Sequence, residues 1–173
     1  MQLMDRVRKS EHLGREFLLW LWWKSETQNG RFEVGEEIVE LWFDRRIILE
    51  SESDEGIEKI VCSGDNPHLR EARFALTENK QITEAMVKLV IGDGEWTFSL
   101  DSKWMNFKGF KTPKVMLDDD EDPDGLFYEK YFLIDRALSV MDAIYAAFVK
   151  RRISPEWKKE EIPALLEWIK EGK

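Results

Sequence analysis

Apolar residues return along residues 126–148 at alternating spacings of four and three: Phe127, Tyr131, Ile134, Leu138, Met141, Tyr145 and Phe148. On a helix they form one seam, because residues three and four apart share a face. A second row, Leu126, Leu133, Ala137, Val140, Ile144 and Ala147, runs beside it. A stripe this wide predicts packing against a sheet or against several elements at once. Asp122 and Pro123 read as an N-cap and a proline at the first helical position. Lys150, Arg151 and Arg152 suit the negative end of the helix dipole, and Ser154 with Pro155 stops the helix.

In residues 13–26, LGREFLLWLWWKSE, the apolar side chains would point in every direction around a helix. Such a helix must be covered on most sides, in the core or at a subunit contact, and Trp20, Trp22 and Trp23 are the candidate interface residues. After Gln28, Asn29 and Gly30 the period changes to two, with Phe32, Val34, Ile38, Leu41, Phe43, Ile47 and Leu49 among charged residues. This alternation predicts half-buried antiparallel strands, with Asp44 and Arg45 turning one strand into the next. Residues 50–55, closed by Gly56, read as an acidic hairpin tip returning through residues 57–62. Asn66 and Pro67 open a short helix to Leu76. Residues 81–91 and 95–100, joined by Gly92, Asp93 and Gly94, give the clearest hairpin. Residues 158–170 read as a terminal amphipathic helix with Ile162, Leu165, Leu166 and Ile169 inward.

The fold class expected is α+β: antiparallel hairpins packed against a long C-terminal helix and a short Trp-rich N-terminal helix. One domain over residues 1–173 is expected, with its core in 11–150 and a helical appendage in 154–173. A chain of 173 residues with 43% hydrophobic side chains, eight Trp and ten Phe can bury a sizeable core. Its net charge of −9 argues against a protein basic all over, and leaves room for a local basic face. The single cysteine, Cys62, excludes an internal disulfide and a four-cysteine zinc site, and beside Ile60 and Val61 it reads as a buried strand thiol. No leader pattern and no apolar run of about 20 residues is present, so a soluble cytoplasmic protein is expected.

His12 and His68 have no histidine or cysteine at metal-ligand spacing. With no GxSxG turn, Walker loop or GxGxxG, the chain is expected to be no enzyme and to need no cofactor or metal. Asp120, Asp122, Asp124 and Gly125 copy the first half of a calcium loop, but Tyr131 stands where a bidentate Glu is required. The run from Asp118 to Asp124 reads better as a solvated acidic loop favouring the helix N-terminus that follows. The opposite charge collects just before it, in residues 103–114, KWMNFKGFKTPK. There Lys103, Lys108, Lys111 and Lys114 are interleaved with Trp104, Phe107 and Phe110. Lysines beside aromatics suit a nucleic-acid surface, neutralising phosphates and stacking on bases; equally, the rings can be core and the lysines its solvated edge. Lys88, Lys150, Arg151 and Arg152 would extend such a face.

Residues 79–115, NKQITEAMVKLVIGDGEWTFSLDSKWMNFKGFKTPKV, lead through an acidic linker to FYEKYFLIDRALSVMDAIYAAFV at 127–149. This order resembles the C-terminal part of the recombination-associated protein RdgC family. Asn79, Lys80, Ile82 and Thr83 match that family's strand opening, residues 103–114 its basic turn, and the long helix its end. LGREFLLWLWWKSE also resembles the family's short Trp-Leu helix. The resemblance implies an α+β fold and a bacterial, cytoplasmic, nucleoid-associated protein. It further implies a ring-shaped homodimer on DNA of any sequence, restraining recombinase filaments, with a recombination protein as a further partner. Two departures stand out: nothing matches the family's N-terminal half, and the hairpin tip at residues 50–55 is acidic where relatives are basic. A non-enzymatic, sequence-independent DNA-binding protein is therefore expected. Its contacts would come from Lys103, Trp104, Lys108, Lys111, Lys114, Lys88, Arg151 and Arg152. The alternative is a protein-interaction module that has lost DNA binding and acts through its apolar helical surfaces.

Overall fold

A helix that is apolar all round is stable only when enclosed, and helix α1 (Glu11–Thr27) is enclosed: Phe17, Leu18, Trp20, Leu21, Trp22 and Trp23 are all buried. The computed structural model describes residues 11–64, 69–116 and 122–171. After α1 come β1 (Arg31–Val34), β2 (Glu37–Ser53), β3 (Gly56–Ser63), α2 (Leu69–Thr77), β4 (Gln81–Ile91), β5 (Gly94–Asp101) and β6 (Asn106–Lys111). The long helix α3 (Pro123–Arg152) follows, then a single π-helical turn (Trp157–Glu161) that runs into α4 (Ile162–Glu171). The architecture is α+β, as the patterning predicts.

The strands form one six-stranded antiparallel sheet in the order β1-β2-β4-β5-β6, with β3 also on β2. Strand β2 holds β4 along one edge and, along the other, β1 on residues 37–40 and β3 on residues 46–53. Leu41, Phe43, Ile47, Leu49, Ile82, Ala85, Val87, Leu89, Trp96, Phe98 and Leu100 turn one face of the sheet into the core that the helices cover. Trp22 stacks on Phe43 of the sheet at 5.9 Å between ring centroids and meets Trp168 of α4 edge-on at 5.2 Å. Phe17 packs on Phe148 of α3 at 5.3 Å, which closes the enclosure of α1. At Gly14 a Cβ atom would lie 1.9 Å from the Ser102 carbonyl oxygen, so only glycine lets the start of α1 come this close to the β5–β6 turn.

Four sequence expectations are corrected. Asp44 and Arg45 do not turn the chain: β2 runs through them, and they sit in a bulge between the pairs Phe43–Val87 and Ile47–Ala85, with Arg45 at φ 52°. A bulge uses the same polar residues and positive φ as a turn, so the two look alike in sequence. On α3 the buried face is the second apolar row (Leu126, Ala137, Val140, Ile144) joined by Met141 and Phe148, whereas Phe127 and Tyr131 of the first row face solvent. Residues 154–171 are no appendage, since Trp157, Leu165 and Trp168 belong to the one core; Ile162 and Leu166, expected inward, are exposed. The cap is as expected: the Asp122 carboxylate accepts from Gly125 N at 2.9 Å, ahead of Pro123. Among the described residues, no helix is long and apolar enough to cross a membrane.

Candidate nucleic-acid interface

The face of the sheet turned away from the helices carries the polar half of each alternating strand. Hairpin register decides which of these side chains meet. Lys88 pairs across to Thr97, and Thr97 to Lys111, so the three make one row over β4, β5 and β6. Ser99 pairs with Met86 on one side and Lys108 on the other, one row along. Gly109, at φ 63°, shifts the register of β6 between Lys108 and Phe110. Phe107 and Phe110 therefore both point back to the core ring of Phe98, at 5.4 and 4.8 Å, while Lys108 and Lys111 point the other way. For Phe107 and Phe110 the structure thus takes the plainer reading, rings as core and lysines as edge.

Lys88, Thr97 and Lys111 line a cleft of about 550 Å³ with Asp44, Arg45, Met86, Glu95 and Thr112. The bulge in β2 brings Arg45 to this rim, the residue that sequence reasoning assigned to a turn and so missed. Thr97 was legible: the tight Gly92-Asp93 connection fixes the register that puts it between two lysines. The charges are partly compensated. Lys88 is 2.7 Å from Glu95, and Lys108 is 3.2 Å from Asp101 and 3.8 Å from Glu84. Lys111 is exposed and forms no ion pair among the described residues, so the positive excess of this face lies with it; Lys114, exposed and likewise unpaired among them, follows three residues past the end of β6.

At the β5–β6 turn, Asp101 works as a local clamp, accepting from the backbone N–H of Lys103 and Trp104 at 2.8 and 3.1 Å. Burial opposes its ionisation, but these bonds and Lys108 outweigh it and hold its carboxyl below the usual range. The turn so fixed presents the Trp104 ring, 69% exposed, with the Lys103 ammonium 5.7 Å from its centroid.

The remaining candidates lie elsewhere. Arg151 is tied to Glu161 at 2.9 Å and Glu160 at 2.6 Å. Arg152 is tied to Glu16 at 2.6 Å and lies over the Trp157 ring at 5.3 Å. Both fasten the end of α3 to α1 and the π turn on the helical side of the sheet, and so are not brought together with the lysine row. Trp20, Trp22 and Trp23, expected as interface residues, are buried inside this chain, because α1 is enclosed by its own sheet and helices. Cys62 is buried; desolvation first and the charge of Glu71 second push its thiol up, away from the reactive thiolate.

Among the described residues, no group of three or more His, Cys, Asp or Glu side chains is placed to hold a metal ion. His68 and the acidic residues Asp118 to Glu121 of the calcium-like loop lie outside the described residues. No protein-family model and no curated protein matches the chain.

Proposed function

We propose that this is a non-enzymatic protein that binds DNA without sequence preference, related to RdgC-type regulators of recombination, through the β4–β6 side of its uncovered sheet face. The observation that carries this reading is the cross-strand row Lys88–Thr97–Lys111 with Arg45 on the opposite rim of the same cleft. Ammonium and guanidinium groups converging on one groove neutralise phosphates, and the threonine hydroxyls add hydrogen bonds that carry no sequence information. Lys114, exposed three residues past β6, adds a further cation, and Trp104 offers an exposed ring on which an unpaired base can stack. With a net charge of −9 the rest of the surface opposes DNA, and phosphate contacts at this patch make the binding salt-sensitive.

The test is fluorescence anisotropy with labelled single strands and duplexes of unrelated sequence, repeated across salt. The expected result is similar affinity for each sequence, falling linearly with salt on logarithmic axes. Lys111→Glu and Lys114→Glu should each weaken binding and flatten that slope. Absence of binding at low salt, where phosphate contacts are strongest, would overturn the proposal.

A further inference from the structure

Helix α3 carries four large rings in its first turns that no other described residue covers. Phe127, Tyr128, Tyr131 and Phe132 are 64%, 69%, 62% and 65% exposed. They lie opposite the buried row Leu126, Ala137 and Val140, on a face that points straight away from the core. Met116, also exposed, adjoins them, because its backbone N–H donates to Glu129 of the same turns at 2.9 Å. The rings add up to about 500 Å² of exposed apolar surface, a large share of the roughly 800 Å² that each partner gives to a stable protein interface.

The order of the rings points to what covers them. Residues 126–133 read Leu-Phe-Tyr-Glu-Lys-Tyr-Phe-Leu, so the apolar sequence is the same in both directions about the midpoint between Glu129 and Lys130. An isologous two-fold contact presents one patch to itself, and for two antiparallel helices it sets each position against its mirror position about the axis. With the axis at that midpoint, Phe127 and Tyr128 of one copy stand level with Phe132 and Tyr131 of the other. The same ring pairs meet at both ends, and aromatic pairs of this kind favour edge-on or offset contact. Asp124 and Asp135 bracket the rings, both exposed, and would face their mates across such a pair. Helices crossing at about 50°, the commonest packing class, carry those like charges apart while keeping the rings together.

From this we infer that the occupant of the aromatic face is a second copy of the chain, joined antiparallel along the first half of α3. The inference is independent of the nucleic-acid reading and stands or falls without it.

Sedimentation velocity on the full chain across micromolar concentrations tests it. A species of twice 20.5 kDa is expected, growing with concentration and strengthening with salt as the aspartates are screened. Tyr131→Lys and Phe132→Lys should each raise the dimer dissociation constant about 30-fold, the loss of one aromatic anchor. Because these side chains are exposed in the single chain, both variants should keep the wild-type circular dichroism and melting temperature. A chain monomeric at every concentration overturns the inference, as does a dimer whose mass is unchanged in both variants. A monomer in which Tyr128 and Tyr131 resist nitration by tetranitromethane also overturns it, since another segment of the same chain would then cover the rings. So does a different protein bound there in place of the second copy.

Discussion

Trp20 and Glu161 are 141 positions apart in the chain, yet the indole Nε1 donates to the Glu161 carboxylate at 3.0 Å. Lys24 reaches the other oxygen of that carboxylate at 3.3 Å, and Arg151 Nε donates to the same oxygen at 2.9 Å. A buried carboxylate thus gathers α1, the end of α3 and the π turn at one point. Burial opposes its charge, but Arg151, Trp20 and Lys24 together outweigh burial and hold its carboxyl below the usual value of 4.5.

Glu161→Ala takes the acceptor from Lys24 and the Trp20 indole N–H and leaves Arg151 only Glu160, and should cost about 3 kcal/mol in urea unfolding, the cost of stripping one partner from a buried ion pair. The pH dependence has a definite sign. A carboxyl whose folded pKa lies below 4.5 adds stability above that pH and loses it as pH falls through the folded value. Wild type should therefore lose more stability than Glu161→Gln when acidified below pH 4.5.

Gly14→Ala is expected to destabilise by about 3 kcal/mol, the upper range for forced overpacking, because the added methyl would press on the Ser102 backbone rather than on a side chain that can swing aside. Gly35→Ala, with nothing within 4 Å of the new carbon, meets only the cost of its positive φ and should lose less. Midpoints of urea denaturation compare the two directly.

Arg152→Ala separates structural cations from those of the proposed DNA face. It removes the pair with Glu16 and the stack on Trp157, so the melting temperature should fall. DNA affinity at fixed salt should stay at the wild-type value. Lys111→Ala should behave in the opposite way, losing affinity at an unchanged melting temperature.

Trp104→Ala should cost about 1–3 kcal/mol of binding to single strands, the contribution of one stacked base, with a smaller loss on duplex. Anisotropy titrations on the two forms of DNA give both numbers. Equal losses on both would show that the ring acts by other means.

Much of the fold was legible because periodicity reports burial directly. The β4–β5 hairpin, the Asp122-Pro123 helix start and the enclosed Trp-rich helix each follow from a local pattern. What the pattern misjudged was always relational. Both apolar rows of α3 are equally periodic, and only the position of the sheet decides that Leu126 faces inward and Phe127 outward. Of the four positions expected inward in residues 158–170, Leu165 is buried and Ile169 packs on the core, whereas Ile162 and Leu166 face solvent and Trp157 and Trp168 fill the core beside Leu165. For the candidate site, the lysine run was visible as composition. Its division was not: Lys88, Lys108 and Lys111 share a face, while Arg151 and Arg152 are spent on internal pairs that no local sequence signal marks.

Strand β2 bonds to β4 on one edge and to β1 and then β3 on the other. Either end of the sheet can fray by losing one pairing, but residues 47–50 of β2, held between β3 and β4, open only if neighbours on both sides let go together. Their amide protons should therefore be among the slowest of the chain to exchange with deuterium, at a rate set by global unfolding. Those of β6, bonded on one side only, should exchange through local opening, which leaves the lysine-bearing edge free to move while the rest of the fold stays intact.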